Sequence, residues 1–351
     1  MKIRPDALVI LSPGFAADEQ DSTCLPMQQA LVKAINQVYP ECSVHIIALQ
    51  YPFRGRTYSW NGNTITSLAG RNRNGFSRWL TWYGAWQQLR KLKRGNHIRG
   101  ILSFWLDECA MIGHRFARLY RLQHRCWMLG QDARPGNRYA ASFKKYPGEL
   151  VALSDFIAAT FKNNYGITPM STIPPGVLPA AFKTDRRIRS IDILAVGSLI
   201  PLKQYHLLVQ IASSLITRFP NLRIVHCGKG PELATIQKMI NEAGLERTIQ
   251  LLGEKPNEEV LTLMQQSKIL LHPSSYEGFG VVCLEALYAG AQVISFCRPQ
   301  NAWIRNWHYV DTPEEMTDTA AILLAESPPS YEPIQPYLIT NTARSIMALF
   351  D

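Results

Sequence analysis

Residues 269–287, Ile269-Leu270-Leu271-His272-Pro273-Ser274-Ser275-Tyr276-Glu277-Gly278-Phe279-Gly280-Val281-Val282-Cys283-Leu284-Glu285-Ala286-Leu287, read as a strand, a tight turn and a helix. Ile269 to His272 is a short apolar run of the kind that is buried on both faces of a parallel sheet. Pro273, Gly278 and Gly280 interrupt it, and an apolar segment of helix length begins near Phe279. A strand followed by a helix is half of a βαβ unit. The same alternation recurs on both sides, which predicts parallel sheets rather than a sandwich or a bundle.

Working outward, Ile191 to Val196, Leu222 to Cys227, Ile249 to Leu252 and Val293 to Phe296 read as further strands, with helices starting near Lys203, Pro231, Pro256 and Phe279. These form one doubly wound sheet. An earlier cycle has strands near Ala7 to Ser12, Ser43 to Leu49, Gly100 to Trp105, Arg125 to Leu129, Leu150 to Leu153 and Ser171 to Ile173. Between the two cycles lie Pro174, Pro175, Gly176 and Pro179, then the charged stretch from Lys183 to Arg189, a composition suited to a linker. The expected division is therefore an N-terminal domain over residues 1–184 and a C-terminal domain over residues 185–337. After Pro328, Pro329, Pro333 and Pro336, residues 338–351 read as a last helix that packs back on either domain. Two such α/β sheets facing each other make a cleft lined by the carboxyl ends of their strands, where open α/β folds hold ligands.

With 351 residues, 46% of them hydrophobic, the chain can bury real cores, which excludes a disordered scaffold. Its seven cysteines are scattered and form no C-x-x-C pair, so neither a disulfide framework nor a zinc site is expected and a reducing cytosol fits. No secretory signal pattern opens the chain, and no apolar run approaches the ~18 residues of a membrane span. The net charge of +10 is local: from Arg54 to Lys145 there are 18 Lys and Arg against three acids, Asp107, Glu108 and Asp132. That field suits an anionic partner such as a membrane surface or a phosphorylated acceptor. Nucleic acid is not expected, because no motif of defined spacing accompanies the charge. From Arg71 to Arg94, seven basic residues accompany Trp79, Trp82, Tyr83, Trp86 and Leu89 at helical spacing. The stripe either faces a core or lies on an anionic membrane surface.

The chemistry concentrates in the opening segment. A helix beginning at Phe279, Gly280 and Val281 presents unpaired amides and the positive end of its dipole, an anion site suited to phosphate. Carboxylates beside a phosphate repel it, so Glu277 and Glu285 are expected to accept hydrogen bonds from sugar hydroxyls. Glu285 lies roughly 7 Å beyond the helix start, in reach of a ribose when a diphosphate sits on the first turn. Glu277, ahead of the helix, then faces the transferred sugar. Lys203, in the turn after Ile191 to Val196, is placed to neutralise a leaving diphosphate.

On these residues the sequence resembles the GT-B-fold retaining glycosyltransferases of family 4, also called glycosyltransferase group 1. The family's Glu, seven residues, Glu motif stands here as EGFGVVCLE, from Glu277 to Glu285, followed by Ala286, Leu287 and Gly290. The resemblance implies a GT-B architecture of two facing, mainly parallel Rossmann-like domains. It implies donor binding by Ser198, Gly228, Gly230, Phe279, Gly280, Val281 and Glu285, and catalytic roles for Glu277, Lys203 and Asp132. Gly14 and Phe15 fall where the family has its acceptor loop. Three positions depart from the pattern: Leu129 replaces a His, Ser198 an Arg and Gln204 a Gly. The implied reaction moves a sugar from a GDP- or UDP-sugar to a saccharide or lipid-linked acceptor with retention, in cell-surface polysaccharide or glycan synthesis. It is expected in the cytoplasm or at the inner face of the membrane. No cofactor is expected, and no metal, since there is no D-x-D-like pair and His97, His114 and His124 lack metal-ligand spacing. A non-catalytic sugar-nucleotide-binding subunit and a GT-B epimerase or phosphorylase are the competing readings.

Overall fold

A computed structural model describes residues 5–184, 188–326 and 331–351. Within the linker and proline-rich stretches, Asp185 to Arg187 and Pro328 and Pro329 lie outside the described residues. The chain forms two compact units, residues 1–175 with 339–351, and residues 176–338.

Among the described residues the first unit holds an eight-stranded sheet of β1 (Asp6–Gly14), β2 (Ser43–Tyr51), β3 (Arg56–Trp60), β4 (Asn63–Ser67), β5 (His97–Phe104), β6 (His124–Met128), β7 (Leu150–Ala152) and β8 (Ser171–Thr172). Its order is β3-β4-β2-β1-β5-β6-β7-β8, parallel throughout except for the β3–β4 hairpin. Helices α1 (Pro26–Val38), α2 (Phe76–Gly95), α3 (Glu108–Tyr120) and α4 (Asp155–Tyr165) connect the strands. β1 is central, and Ala7 to Leu11 are fully buried, which is why this run is uniformly apolar. On one face Val9 and Leu11 pack with Ala85 and Leu89 of α2 and Ile112 and Phe116 of α3. The aromatic stripe of α2 divides accordingly: Leu89 is core, Trp86 meets Phe116 edge-on at 5.1 Å, while Trp79 and Tyr83 remain exposed.

The second unit holds a six-stranded, all-parallel sheet of β9 (Ile191–Val196), β10 (Ile224–Cys227), β11 (Ile249–Leu251), β12 (Ser267–His272), β13 (Gln292–Ser295) and β14 (Trp307–Tyr309), in the order β11-β10-β9-β12-β13-β14. Its helices are α5 (His206–Leu215), α6 (Leu233–Glu242), α7 (Asn257–Gln265), α8 (Val281–Tyr288) and α9 (Pro313–Ala325).

The division of the chain differs from expectation, and the last helix takes one of the two expected partners. The units divide at Pro175 and Gly176, earlier than the charged stretch suggests. The proline-rich segment beyond that point is held in the second unit, where Val177 bridges Leu338 and Phe182 lies 4.7 Å from the Tyr288 ring. The last helix, α10 (Ile339–Ala348), belongs to the first unit and packs on α1. Gly100 of β5 makes the space for Phe350, since a Cβ there would come 2.1 Å from the phenyl ring. Among the described residues no helix is long and apolar enough to cross a membrane.

Candidate functional site

In the second unit three βα turns leave neighbouring strands at the carboxyl edge of the sheet and are bonded to one another. Leu199 N–H donates to Lys229 carbonyl at 3.0 Å, Glu232 N–H to Leu199 carbonyl at 3.1 Å, and Ser275 N–H to Leu202 carbonyl at 3.0 Å. Glycine permits this approach. A Cβ on Gly228 would lie 1.9 Å from the Gly197 carbonyl oxygen, and one on Gly230 would lie 2.3 Å from that of Leu199. The observed reason for Gly228 and Gly230 is thus turn-against-turn packing.

The packed turns bring Lys203 and Glu277 together. Lys203 Nζ donates to Glu277 Oε1, and His272 Nε2, at the end of β12, lies 3.1 Å from the same oxygen. Burial opposes ionisation of Glu277, but the hydrogen bond and charge of His272, with the ammonium of Lys203, hold its carboxyl down at about 2. Glu285 has the opposite fate. It sits half-buried on α8, burial pushes its carboxyl up to about 7, and among the described residues no hydrogen bond or ion pair engages it. A carboxylate so placed is free to accept donors from solvent or from a bound molecule.

Gly280, with φ +78°, turns the chain into α8, so the amides of the first turn at Val281 face out of the helix end. Phe279 contributes only backbone there: its ring is buried between Trp307 and Tyr337, at 6.3 and 5.8 Å. Ser198 is exposed on the β9 turn, and Gln204, where the resembled family has Gly, takes a left-handed φ of +51°. Sequence reasoning missed His272; a histidine closing a parallel strand, next to a βα turn, is the signal that points to it.

The first-unit candidates are more enclosed. Asp132 is buried, and its Oδ2 accepts the Leu129 N–H at 2.8 Å, bracing its own turn from Gly130 to Ala133. Burial pushes that carboxyl up to about 7. Phe15 is fully buried edge-on to Trp60 at 4.9 Å, so its ring is core rather than a surface for an acceptor; Gly14 closes β1 tightly against Tyr51. The fold also unites residues that show no spacing in sequence. His114, His124 and Glu149 have donor atoms within 4.8 Å of one another and could hold a metal ion. Here both imidazoles bond to the Glu149 carboxylate, which they draw down to about 2 against the effect of burial.

Residues 181–302 match the family of glycosyl transferases group 1. The phosphatidylinositol N-acetylglucosaminyltransferase GPI3 subunit of Saccharomyces cerevisiae (strain YJM789) is 32% identical over 135 residues, 36% of this chain and 30% of that protein. The D-inositol 3-phosphate glycosyltransferase of Corynebacterium urealyticum is 34% identical over 108 residues, 28% of this chain and 25% of that protein. The aligned stretches therefore span less than a third of these curated relatives. Among solved structures, sucrose-phosphate synthase from Thermosynechococcus elongatus superposes with a TM-score of 0.72 over 99% of this chain and 95% of its own, at 14% identity, a likeness of fold. The glutamate pair, Lys203 and their packed turns all lie within the matched residues. Residues 181–302 thus match the glycosyl transferases group 1, in a chain whose fold is that of the GT-B glycosyltransferases.

Proposed function

We propose that the chain transfers a sugar from a GDP- or UDP-sugar to a saccharide or lipid-linked acceptor, with retention at the anomeric carbon and without a metal. The observation that carries this reading is the convergence of Lys203, Glu277 and His272 ahead of α8. As the bond between sugar and diphosphate breaks, negative charge grows on the departing phosphate. Lys203 and the first amides of α8 offset it. Glu277, kept ionised, accepts hydroxyls of the transferred sugar, and Glu285 accepts those of the ribose. The acceptor is bound by the first unit, with the exposed aromatic and basic surface of α2 directed to an anionic membrane on its cytoplasmic side. Both curated relatives are by name transferases of sugars, which supports the reaction class.

A sugar-nucleotide-binding subunit without turnover is the second reading. Leu129, buried where the resembled family has His, and Asp132, closed inside its turn, favour it.

A thermal-shift panel of nucleoside diphosphates and their sugars tests the donor. A ligand at roughly a hundred times its Kd adds about 2.7 kcal/mol to the native state, so one base should raise the Tm clearly. No shift with any member overturns the proposal. Turnover by the purified chain rejects the second reading, and an inverted anomeric centre in the product, read by NMR, rejects retention.

A further inference from the structure

The first unit carries a second concavity that the donor chemistry does not use. α2 leaves β4, α3 leaves β5, and the segment holding Arg138 and Tyr139 follows β6, all from the carboxyl edge of the sheet. Together they enclose a cavity of about 460 Å³ whose wall includes Arg78, Arg115 and Arg138 and the rings of Trp79, Trp82 and Tyr139.

The charges there are unbalanced. Glu108 bonds to two residues of the wall and is already engaged: it accepts from Arg78 Nε at 3.1 Å, from Trp82 Nε1 at 2.6 Å and from Gln50 Nε2. That neutralises Arg78. Arg115 and Arg138 are exposed, and among the described residues neither meets a carboxylate; Arg138 bonds only to the Tyr139 hydroxyl, at 3.1 Å. Two uncompensated guanidinium groups around one hollow concentrate a positive potential in it. Their planar forks match phosphate oxygens in pairs.

Beside them the apolar surface is equally unpartnered. Phe76, Trp79, Leu80 and Tyr83, on the first two turns of α2, are between 56% and 77% exposed, an unusual density of bare large side chains. Cationic pocket and apolar shelf are continuous through Trp79.

We propose that this cavity binds the phosphate ester of the acceptor, with the part of the acceptor adjoining the phosphate lying on the aromatic shelf. This rests on the sugar-transfer reading and adds the acceptor's chemical class. The phosphate belongs either to a lipid headgroup or to a free sugar phosphate, and the test separates the two.

Calorimetric titration of the full chain uses two probe pairs, farnesyl phosphate with farnesol and glucose 6-phosphate with glucose. The phosphorylated member of at least one pair should bind about tenfold or more tightly than its alcohol, the effect of charged hydrogen bonds that only the ester can make. A preference confined to the farnesyl pair identifies a lipid source, and one in the glucose pair a soluble source. In the Arg115→Gln/Arg138→Gln double variant, both changes being at exposed positions, the preference should disappear while the Tm rise with the donor nucleotide stays. Equal binding within both pairs, or a preference that survives in the double variant, overturns the proposal. Absence of any nucleotide shift in the unaltered chain instead removes the sugar-transfer reading beneath it.

Discussion

Glu277 and Glu285 flank one turn and helix start, yet their environments push them apart: against its burial, the interactions with His272 and Lys203 draw the first down to about 2, and unrelieved burial raises the second to about 7. For Glu277, with an ordinary value of 4.5, the linkage stabilises the fold above pH 4.5 and is lost as pH falls toward 2. For Glu285 the sign reverses. Between pH 4.5 and 7 the folded state holds a proton that the unfolded chain has released, so stability falls as pH rises, and the full penalty stands above 7. Glu285→Gln keeps the shape and removes the charge. At pH 8 the variant should be more stable than the parent by about 1–3 kcal/mol, with the gain shrinking toward pH 5, while nucleotide binding weakens. Denaturant midpoints at the two pH values check this; an equal change at both, or unaltered nucleotide affinity, would sink the assignment. These two acids stand out in sequence because a glycine turn and an apolar helix flank them. His272 was not, since its role arises only when the fold sets it against Glu277 and Lys203. Asp132 shows the converse, a motif-like acid whose carboxylate serves its own turn.

Whole elements were legible where burial is two-sided. β1 and β9 announce themselves because each central strand must be apolar on both faces. The β3–β4 hairpin escaped, being short and half-exposed, although Asn61-Gly62 at its tip, with φ of +44° and +78°, is the pairing that a tight hairpin turn demands. Least legible was the packing of the βα turns on one another, because a glycine in sequence does not say whether it serves a ligand or a neighbouring backbone. Gly228 and Gly244 separate backbone packing from a need for positive φ alone. Both have positive φ, +149° and +65°, but a Cβ on Gly228 collides with the Gly197 carbonyl, whereas one on Gly244 meets nothing within 4 Å. Gly244→Ala should therefore cost about 1 kcal/mol, the backbone strain alone, and Gly228→Ala about 2–4 kcal/mol with loss of the nucleotide-induced Tm shift. Equal costs for the two, measured by thermal unfolding, would show that the turn contact does not hold Lys203 in place.

On the scale of the molecule, the last helix makes the first unit discontinuous in sequence. An amphipathic helix declares an apolar face without declaring what it meets, which is why α10 could be foreseen as a helix but not assigned to a unit. The structure settles the partner through side chains: Ile339, Ile346 and Met347 are fully buried, Phe350 nearly so, and Phe350 occupies the space left by Gly100 at the sheet. Thr342 Oγ1 also donates to the Pro174 carbonyl at 2.9 Å, tying the helix to the end of the first unit's main segment. Each of the four large side chains is worth about 1.5–3 kcal/mol on burial, so together they approach the ~5–15 kcal/mol that holds a typical domain. A chain ending at Leu338 should accordingly lose the first unit's fold while the second unit, which carries the proposed donor residues, keeps its own. Hydrogen exchange read by mass spectrometry distinguishes the units: peptides from β1 and β2 should exchange rapidly in the truncated chain, and those from β9, β12 and β13 should remain protected. The nucleotide-induced rise in Tm should survive in that remainder. Unchanged protection in β1 and β2 would mean that α10 is an appendage and that the core of the first unit is complete by Pro175.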